Sequence, residues 1–140
     1  MNTNQRFAIS IHALTLLAAN PDPLTSEMIA SSVDTNPVVI RRTMANLREQ
    51  GLVESKSGAR GGWKLLREPK RIGLREVYRS LSEEDVLSIH SHPNQFCPVG
   101  GNIMGVLQAV FDDAQSEMEK ALGKYTVADI LKDVRRKANQ

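Results

Sequence analysis

Proline and glycine restrict where helices can begin and end in the first third of the chain. The run NPDP at 20–23 ends any preceding helix, because proline lacks the backbone N–H that a helix interior requires. Thr25 then suits the N-cap of a second, short helix. A third helix opens with Asn36 as its cap and Pro37 in its first position, and Gly51 is placed to terminate it. The pattern predicts three helices, the last two joined by a short turn.

The third predicted helix has an apolar face and an opposite face that is small and basic near its first turns. Ile40, Met44 and Leu47 recur on one side. At about 100° per residue, the other side holds Val38, Arg41, Arg42, Ala45 and Glu49. Such a face suits a helix that enters the major groove of DNA. Two packed helices of an ordinary helical domain are the alternative.

A β-hairpin is predicted directly after the third helix. The run LVESKSG is typical of a strand, GARGG of a turn and WKLLRE of a returning strand. Arg60 stands at the tip between Gly58 and Gly61, where glycine lets the backbone approach another surface closely. An arginine on so narrow a hairpin can reach into a minor groove, where the negative potential is strongest. The hairpin is therefore interpreted as the wing of a DNA-binding domain, with an ordinary exposed turn as the alternative for Arg60.

The charge distribution agrees with a polyanionic partner. Residues 1–75 carry 11 basic and 6 acidic side chains, whereas residues 76–140 carry 7 and 10. The stretch 56–75 holds seven basic residues against one acid, Glu68. A solvated basic face would look the same, so the charge supports the DNA interpretation without deciding it.

The C-terminal part predicts a long helix over about 98–122 and a short helix capped by Thr126, with Val127, Ile130, Leu131 and Val134 facing inward. Apolar residues in the long helix recur at spacings of four and three, close to a heptad seam: Ile103, Leu107, Val110, Ala114, Met118 and Ala121. The stripe is wide enough to pack both on its own domain and on a second copy.

These elements predict a mainly α fold: a winged helix-turn-helix domain with a two-stranded β wing, plus a long C-terminal dimerisation helix. We assign residues 1–82 to the DNA-binding domain, 83–101 to a loop that carries Cys97, and 102–140 to the dimerisation helices.

The stretch 25–81 resembles the Rrf-two family of bacterial winged helix-turn-helix transcriptional regulators, which includes IscR, NsrR and CymR. The resemblance lies in the pair Ile29–Ala30, the pair Asn36–Pro37, LREQGLVES at 47–55, GARGGWKL at 58–65, and the spaced motif P…I.L.EVY at 69–78. The run CPVG at 97–100 is most similar to the YwnA-type subgroup, which lacks the family's three-cysteine cluster site.

The resemblance implies a homodimer that binds a partly palindromic operator in double-stranded DNA and represses transcription, often until a chemical signal releases it. It implies DNA contacts in the recognition helix and in the wing, at Asn36, Val38, Arg41, Arg42, Ser57, Arg60 and Gly61. Cluster-binding members use three cysteines ahead of the dimerisation helix, whereas this chain has only Cys97. We therefore expect no iron–sulfur cluster and no other cofactor.

Three roles are open for Cys97. With Pro98 in a first helical position, the sulfur would lie near the N-cap of the long helix, where unpaired N–H groups favour a thiolate that can sense oxidants or electrophiles. Burial by Phe96 and Pro98 would instead make it an inert structural residue. A metal site formed with His90 and His92 is the weakest alternative, because the spacing matches no strong motif.

The sequence does not indicate an enzyme. It contains no nucleophile elbow, phosphate loop or zinc-protease motif. We expect His12 to pack among apolar neighbours, and we interpret the acidic run at 83–85 as a solvated turn. We also expect a cytoplasmic protein without a membrane span, since no signal-peptide pattern or long apolar run is present. The alternative function is a regulator controlled by a small metabolite or a partner protein, with Cys97 structural.

Overall fold

The computed structural model describes residues 3–81 and 87–140. Within these ranges the elements are α1 (Thr3–Ala19), α2 (Ser26–Val33), α3 (Pro37–Glu49), β1 (Val53–Lys56), β2 (Gly62–Leu65), a short 3-10 helix (Pro69–Arg71), α4 (Leu74–Ser80), α5 (Ile103–Leu122) and α6 (Val127–Ala138). The predicted fold class is confirmed. The acidic run at 83–85 and the predicted domain boundary after residue 82 lie outside the described residues.

The hydrophobic core is centred on α1, which packs against α2, α3, α4, α6 and β2. Each of these helices gives the core at least one buried side chain, as do β1 and the residue that precedes it. The members are Ala13, Leu14, Leu17, Ile29, Ala30, Ile40, Met44, Leu47, Leu52, Val53, Ile72, Val77 and Val127. The inner face predicted for α3 is thus confirmed, since all three of its apolar residues are fully buried.

His12 does not pack in this core. It is exposed, and its Nε2 lies 3.0 Å from the Ser32 hydroxyl of α2. The prediction of an apolar environment was wrong because its apolar neighbours in sequence, Ala13 and Leu14, point to a different side of the helix.

Local caps define the helix ends that the sequence predicts. The Thr25 hydroxyl accepts a hydrogen bond from the backbone N–H of Met28, and Asn36 Oδ1 accepts one from Val38 at 2.9 Å. At the start of α6, Thr126 and Asp129 form a reciprocal capping box. These bonds satisfy N–H groups that would otherwise lack partners in the first turn of each helix.

Gly51 turns the chain from α3 into the wing. Its φ is +76°, a left-handed conformation that costs a residue with a side chain about 1–2 kcal/mol. The N–H of Gly51 donates to the carbonyl of Arg48 at 2.9 Å, and that of Leu52 donates to Leu47 at 3.0 Å. This pair of bonds is a Schellman motif, which satisfies the last carbonyl groups of α3.

The wing is a two-stranded antiparallel sheet whose base is fixed to α2. Trp63 exchanges backbone hydrogen bonds with Leu24 at 2.7 and 3.1 Å, and its indole N–H donates to the Ser26 hydroxyl at 3.0 Å. The guanidinium carbon of Arg48 lies 5.5 Å from the centre of the Trp63 ring. At Gly62, where φ is +144°, a Cβ would lie 2.6 Å from the backbone of Leu24, so only glycine permits this approach. The helix-turn-helix and the wing therefore form one packed unit.

The long helix begins later than the sequence predicts. It starts at Ile103 with Asn102 in the N-cap position, instead of near Pro98. The preceding residues form separate turns, in which the Cys97 carbonyl accepts a hydrogen bond from Gly101 at 2.8 Å. Two successive glycines, Gly100 and Gly101, disfavour continuous helix at this point. The prediction that Cys97 lies at the N-cap of the long helix was therefore wrong.

Polar contacts connect α5 to α4. Arg79 Nε lies 2.6 Å from Glu119 Oε1, Arg75 Nε donates to the Glu119 carbonyl at 2.9 Å, and the Gln115 amide donates to the Tyr78 hydroxyl at 2.6 Å. The hydrogen bond from Arg79 holds the pKa of Glu119 below its usual range. No residue of α5 is fully buried within the chain.

The last helix packs on α1 and the 3-10 helix through fewer residues than predicted. Val127 and Leu131 are buried, and Ile130 is half-buried. Val134 is 53% exposed, so its predicted inward position was wrong. Among the described residues, no helix is long and apolar enough to cross a membrane.

We predict that Gly51→Ala lowers the free energy of unfolding by about 1–2 kcal/mol, because alanine must adopt a strained positive φ. Urea unfolding measures the change. Gly105→Ala is the matched control, since Gly105 lies within α5 with open space around it and alanine there favours the helix by up to about 1 kcal/mol. Equal effects of the two substitutions would contradict the role assigned to Gly51.

Candidate nucleic-acid interface

The side chains that the sequence places on the outer face of α3 are exposed, apart from Ala45, which is half-buried. Asn36, Val38, Arg41 and Arg42 are all exposed. Asn36 is also the cap of α3, so its side-chain oxygen is already bonded to Val38 N–H, and its amide NH₂ is the group left for other partners. A capped, rigid first turn would present these side chains in a fixed orientation.

Arg41 forms an ion pair that the sequence does not reveal. Its guanidinium lies 2.5 Å from Glu27 in the first turn of α2, and both side chains are more than half exposed. A hydrogen bond from the Glu27 backbone N–H and a second from Arg41 lower the pKa of Glu27. Because exposed ion pairs are weak and screened by solvent, Arg41 can exchange this carboxylate for a phosphate at little cost.

The wing tip is a tight turn between the two strands. The N–H of Gly61 donates to the carbonyl of Gly58 at 3.0 Å. Ser57 and Arg60 are exposed, and Gly61 is half-buried against the backbone carbonyl of Lys56, which a Cβ at Gly61 would strike. The narrow tip therefore depends on Gly61 and leaves the Arg60 side chain extended into solvent.

The basic stretch 56–75 does not form a single surface. Lys56, Arg60 and Lys64 lie exposed on the wing. Arg67 makes a two-pronged ion pair with Glu76 at 2.7 and 2.9 Å. The remaining three are also engaged, since Lys70 and Arg71 lie within 4 Å of Glu68 and Arg75 donates to the Glu119 carbonyl. Among the described residues, only the wing members of this stretch lack an ion-pair or side-chain hydrogen-bond partner, and they lie on the hairpin that directly follows α3.

Cys97 is exposed, and hydrogen bonds from the backbone N–H groups of Gly100 and Val99 lower the pKa of its thiol. These donors belong to the short turn that Cys97 opens, and the dipole of α5 is not needed to explain the effect. The alternative in which neighbouring Phe96 and Pro98 bury the sulfur was wrong, since Phe96 is itself 88% exposed.

A helix-turn-helix followed by a β wing defines the class of winged-helix DNA-binding proteins. Residues 3–133 match the model of the Rrf2 family, described as an iron-dependent transcriptional regulator, and the chain belongs to this family. The resemblance drawn from the sequence is thereby confirmed.

Individual relatives agree with this assignment. YwnA of Bacillus subtilis, named as a candidate HTH-type transcriptional regulator, is 37% identical over 129 residues, which cover 91% of this chain and 96% of YwnA. A crystal structure of a candidate DNA-binding protein is 34% identical with a TM-score of 0.72, covering 90% of this chain and 98% of that one. IscR of T. potens is 27% identical with a TM-score of 0.70, covering 92% and 85%. The chain is accordingly a transcriptional regulator and not an enzyme.

The donor atoms of this chain do not fit an iron–sulfur cluster, although the family description mentions iron. A cluster takes four ligands, largely cysteine thiolates, and the whole sequence has one cysteine. In the part of the chain that the structure describes, no three His, Cys, Asp or Glu side chains come together as metal ligands. His90, His92 and Cys97, the weak metal candidates of the sequence, lie among these described residues and are not grouped as metal ligands there.

We predict that Arg60→Ala weakens binding to a selected DNA site by about 1–3 kcal/mol, because we expect this exposed side chain at the wing tip to enter a minor groove. Fluorescence anisotropy with a duplex obtained by in vitro selection measures the affinity. Arg136→Ala is the control, since Arg136 lies on α6 and pairs with Asp133. Unchanged affinity and sequence preference in Arg60→Ala would remove Arg60 from the interface.

Proposed function

We propose that the protein is a cytoplasmic homodimeric repressor whose two recognition helices enter successive major grooves of a partly palindromic operator, with the wings in the flanking minor grooves. The observation that carries the proposal is the surface formed by the first turns of α3 and the wing tip, which is exposed except at the half-buried Gly61. It contains Asn36, Val38, Arg41, Arg42, Ser57, Arg60 and Gly61, which we propose as the DNA contacts. The packing of Trp63 on α2 supports a fixed relation between helix and wing.

The exposed apolar side of α5 supports a homodimer. Val106 and Val110 are 63% and 56% exposed, and Ala114 and Ala121 continue the same side of the helix. An adjacent side, about 100–140° around the helix from Val110, holds Phe111, Gln115 and Leu122 and is half-buried against the chain's own domain. A 20-residue helix with no fully buried side chain would gain apolar burial from a second copy.

A dimer through α5 would set the distance between the two recognition helices. The polar contacts of Arg75 and Arg79 with Glu119 link α5 to α4, and α4 packs on α1 and α3. Dimeric helix-turn-helix proteins place their half-sites about 34 Å apart, one turn of DNA. A change in the angle of α5 would therefore misplace one recognition helix relative to the other.

We propose that Cys97 is the sensor that releases DNA, and that no iron–sulfur cluster takes part. Its exposure makes the thiol accessible, and its lowered pKa increases the thiolate fraction at neutral pH. The thiolate would attack a quinone-like electrophile to form a thioether, with the ring taking up the electron pair and a proton. The adduct would lie immediately ahead of α5, where added bulk would shift the dimer seam.

We expect Val110→Glu to convert the dimer to a monomer, because a charge on each copy would be buried opposite its equivalent. Light scattering measures the mass, and the same variant should bind the selected duplex at least tenfold more weakly than wild type. In vitro transcription from a promoter that holds the selected site tests repression, which the wild type should show and the variant should lack.

Ser116→Glu is the matched control for the dimer. Ser116 is exposed and lies about 120° around α5 from Val110, so its charge should leave both mass and repression unchanged. A monomeric wild-type protein, or a Val110→Glu protein that stays dimeric, would contradict a dimer formed through this side of α5.

We expect a benzoquinone titration to release wild-type protein from the selected duplex, while Cys97→Ser keeps its affinity. The physical reason is that serine lacks the nucleophilic thiolate. Anisotropy measures release, and mass spectrometry of the same samples measures one adduct per chain. Equal release of both proteins would exclude Cys97 as the sensor and favour control by a metabolite or partner protein.

A further inference from the structure

A cleft of about 290 Å³ separates α1 from α3. Its lining includes Arg6 and Ser10 from α1 and Val39, Arg42, Thr43 and Asn46 from α3. It lies beside the proposed DNA surface but involves residues of α1 that the predicted contacts do not include.

The cleft is lined by two arginine side chains. No acidic residue lines it within the described part of the chain. Arg6 and Arg42 have no ion-pair partner among the described residues, whereas Arg41, Arg67 and Arg79 each contact a carboxylate. Two guanidinium groups that have no carboxylate partner in the described part of the chain create a positive potential on this concave surface, which favours an anion.

The other polar side chains that line the cleft already donate hydrogen bonds to backbone carbonyl groups of the protein. The Ser10 hydroxyl donates to the Arg6 carbonyl at 2.8 Å, and the Thr43 hydroxyl donates to the Val39 carbonyl at 2.9 Å. The Asn46 amide donates to the Ser80 carbonyl at 3.2 Å. Arg6 and Arg42 are therefore the principal hydrogen-bond donors that remain for a ligand. The paired N–H donors of a guanidinium group match the oxygens of a phosphate group.

The cleft occupies one flank of the recognition helix. Arg41 and Arg42 are about 100° apart on α3; Arg41 reaches Glu27 of α2 on one side, and Arg42 borders the cleft on the other. A helix in a major groove has a phosphate backbone along each flank. We propose that the Arg6–Arg42 cleft binds a phosphate group, which is that of the DNA backbone when α3 is docked.

This proposal rests on the proposed docking of α3, but its test does not require a specific operator. Phosphate contacts contribute affinity and salt dependence without reading sequence. Binding of the wild type, Arg6→Gln and Arg6→Lys is measured across a salt series with two duplexes of equal length. One duplex carries the site obtained by in vitro selection, and the other has an unrelated sequence.

We expect Arg6→Gln to weaken binding to both duplexes by the same factor, roughly 3- to 10-fold, and to lower the slope of log affinity against log salt by about 1. Arg6→Lys should keep the slope and lose part of the affinity, because lysine lacks the two-pronged geometry. Arg136→Gln on α6 removes an equal charge from an exposed ion pair with Asp133 and should change neither quantity.

A slope that Arg6→Gln leaves unchanged, or a loss confined to the selected duplex, would overturn the backbone contact. A second experiment tests whether the cleft binds free phosphate instead of the DNA backbone. It compares the thermal unfolding temperature in inorganic phosphate with that in chloride, at equal ionic strength and without DNA. In one outcome, phosphate stabilises the wild type but not Arg6→Gln, while the salt slope of DNA binding is the same in both proteins. That result would assign the cleft to a free phosphate compound and reject the DNA backbone as its ligand. If the wild type bound the two duplexes with equal affinity, the operator function would be contradicted. The comparison of salt slopes between the wild type and Arg6→Gln would still test the backbone contact.

Discussion

The burial of α1 between α3, α4 and α6 is the interaction on which the rest of the structure depends. Leu14 at its centre is fully buried, as are Ile40 and Met44 of α3. Removing a buried leucine or isoleucine side chain from such a site costs about 2–5 kcal/mol, a large part of the stability of a domain of this size. Since the inner face of α3 is held this firmly, its outer face is left to solvent with its orientation fixed. The recognition surface is thus a consequence of core packing, and it needs no separate scaffold.

Arginine is used in this protein in two physically different ways. Arg67, Arg75 and Arg79 hold elements of the fold together through carboxylate or carbonyl oxygens. Arg42 and Arg60 have no ion-pair partner among the described residues and lie where DNA is proposed to bind. Arg41 is intermediate, because its exposed pair with Glu27 is easily exchanged. Net charge alone would not separate these roles, since +2 for the whole chain conceals both groups.

The segment around Cys97 shows how a local sequence signal can be right in its chemistry and wrong in its structural assignment. Proline after cysteine indicates a helix start, and backbone N–H groups do lie near the sulfur and lower its pKa. The helix that follows is only a turn, however, because Gly100 and Gly101 favour the bends that the chain makes before Asn102. The thiol therefore lies ahead of α5 as an exposed group, and its environment comes from four consecutive residues and not from a long helix dipole.

The sequence by itself determined the boundaries of the N-terminal helices, the wing and the inner face of α3. Proline, glycine and capping residues act through dihedral angles and hydrogen bonds within a few positions, so Asn36, Gly51 and Thr126 could be assigned without knowledge of the fold. Only the tertiary structure decided which charges meet. The pairing of Arg41 with Glu27, the contact of Arg79 with Glu119 and the cleft between Arg6 and Arg42 join residues distant in sequence. Such contacts depend on how the helices pack against one another. No local sequence pattern encodes the distance between two side chains on different helices.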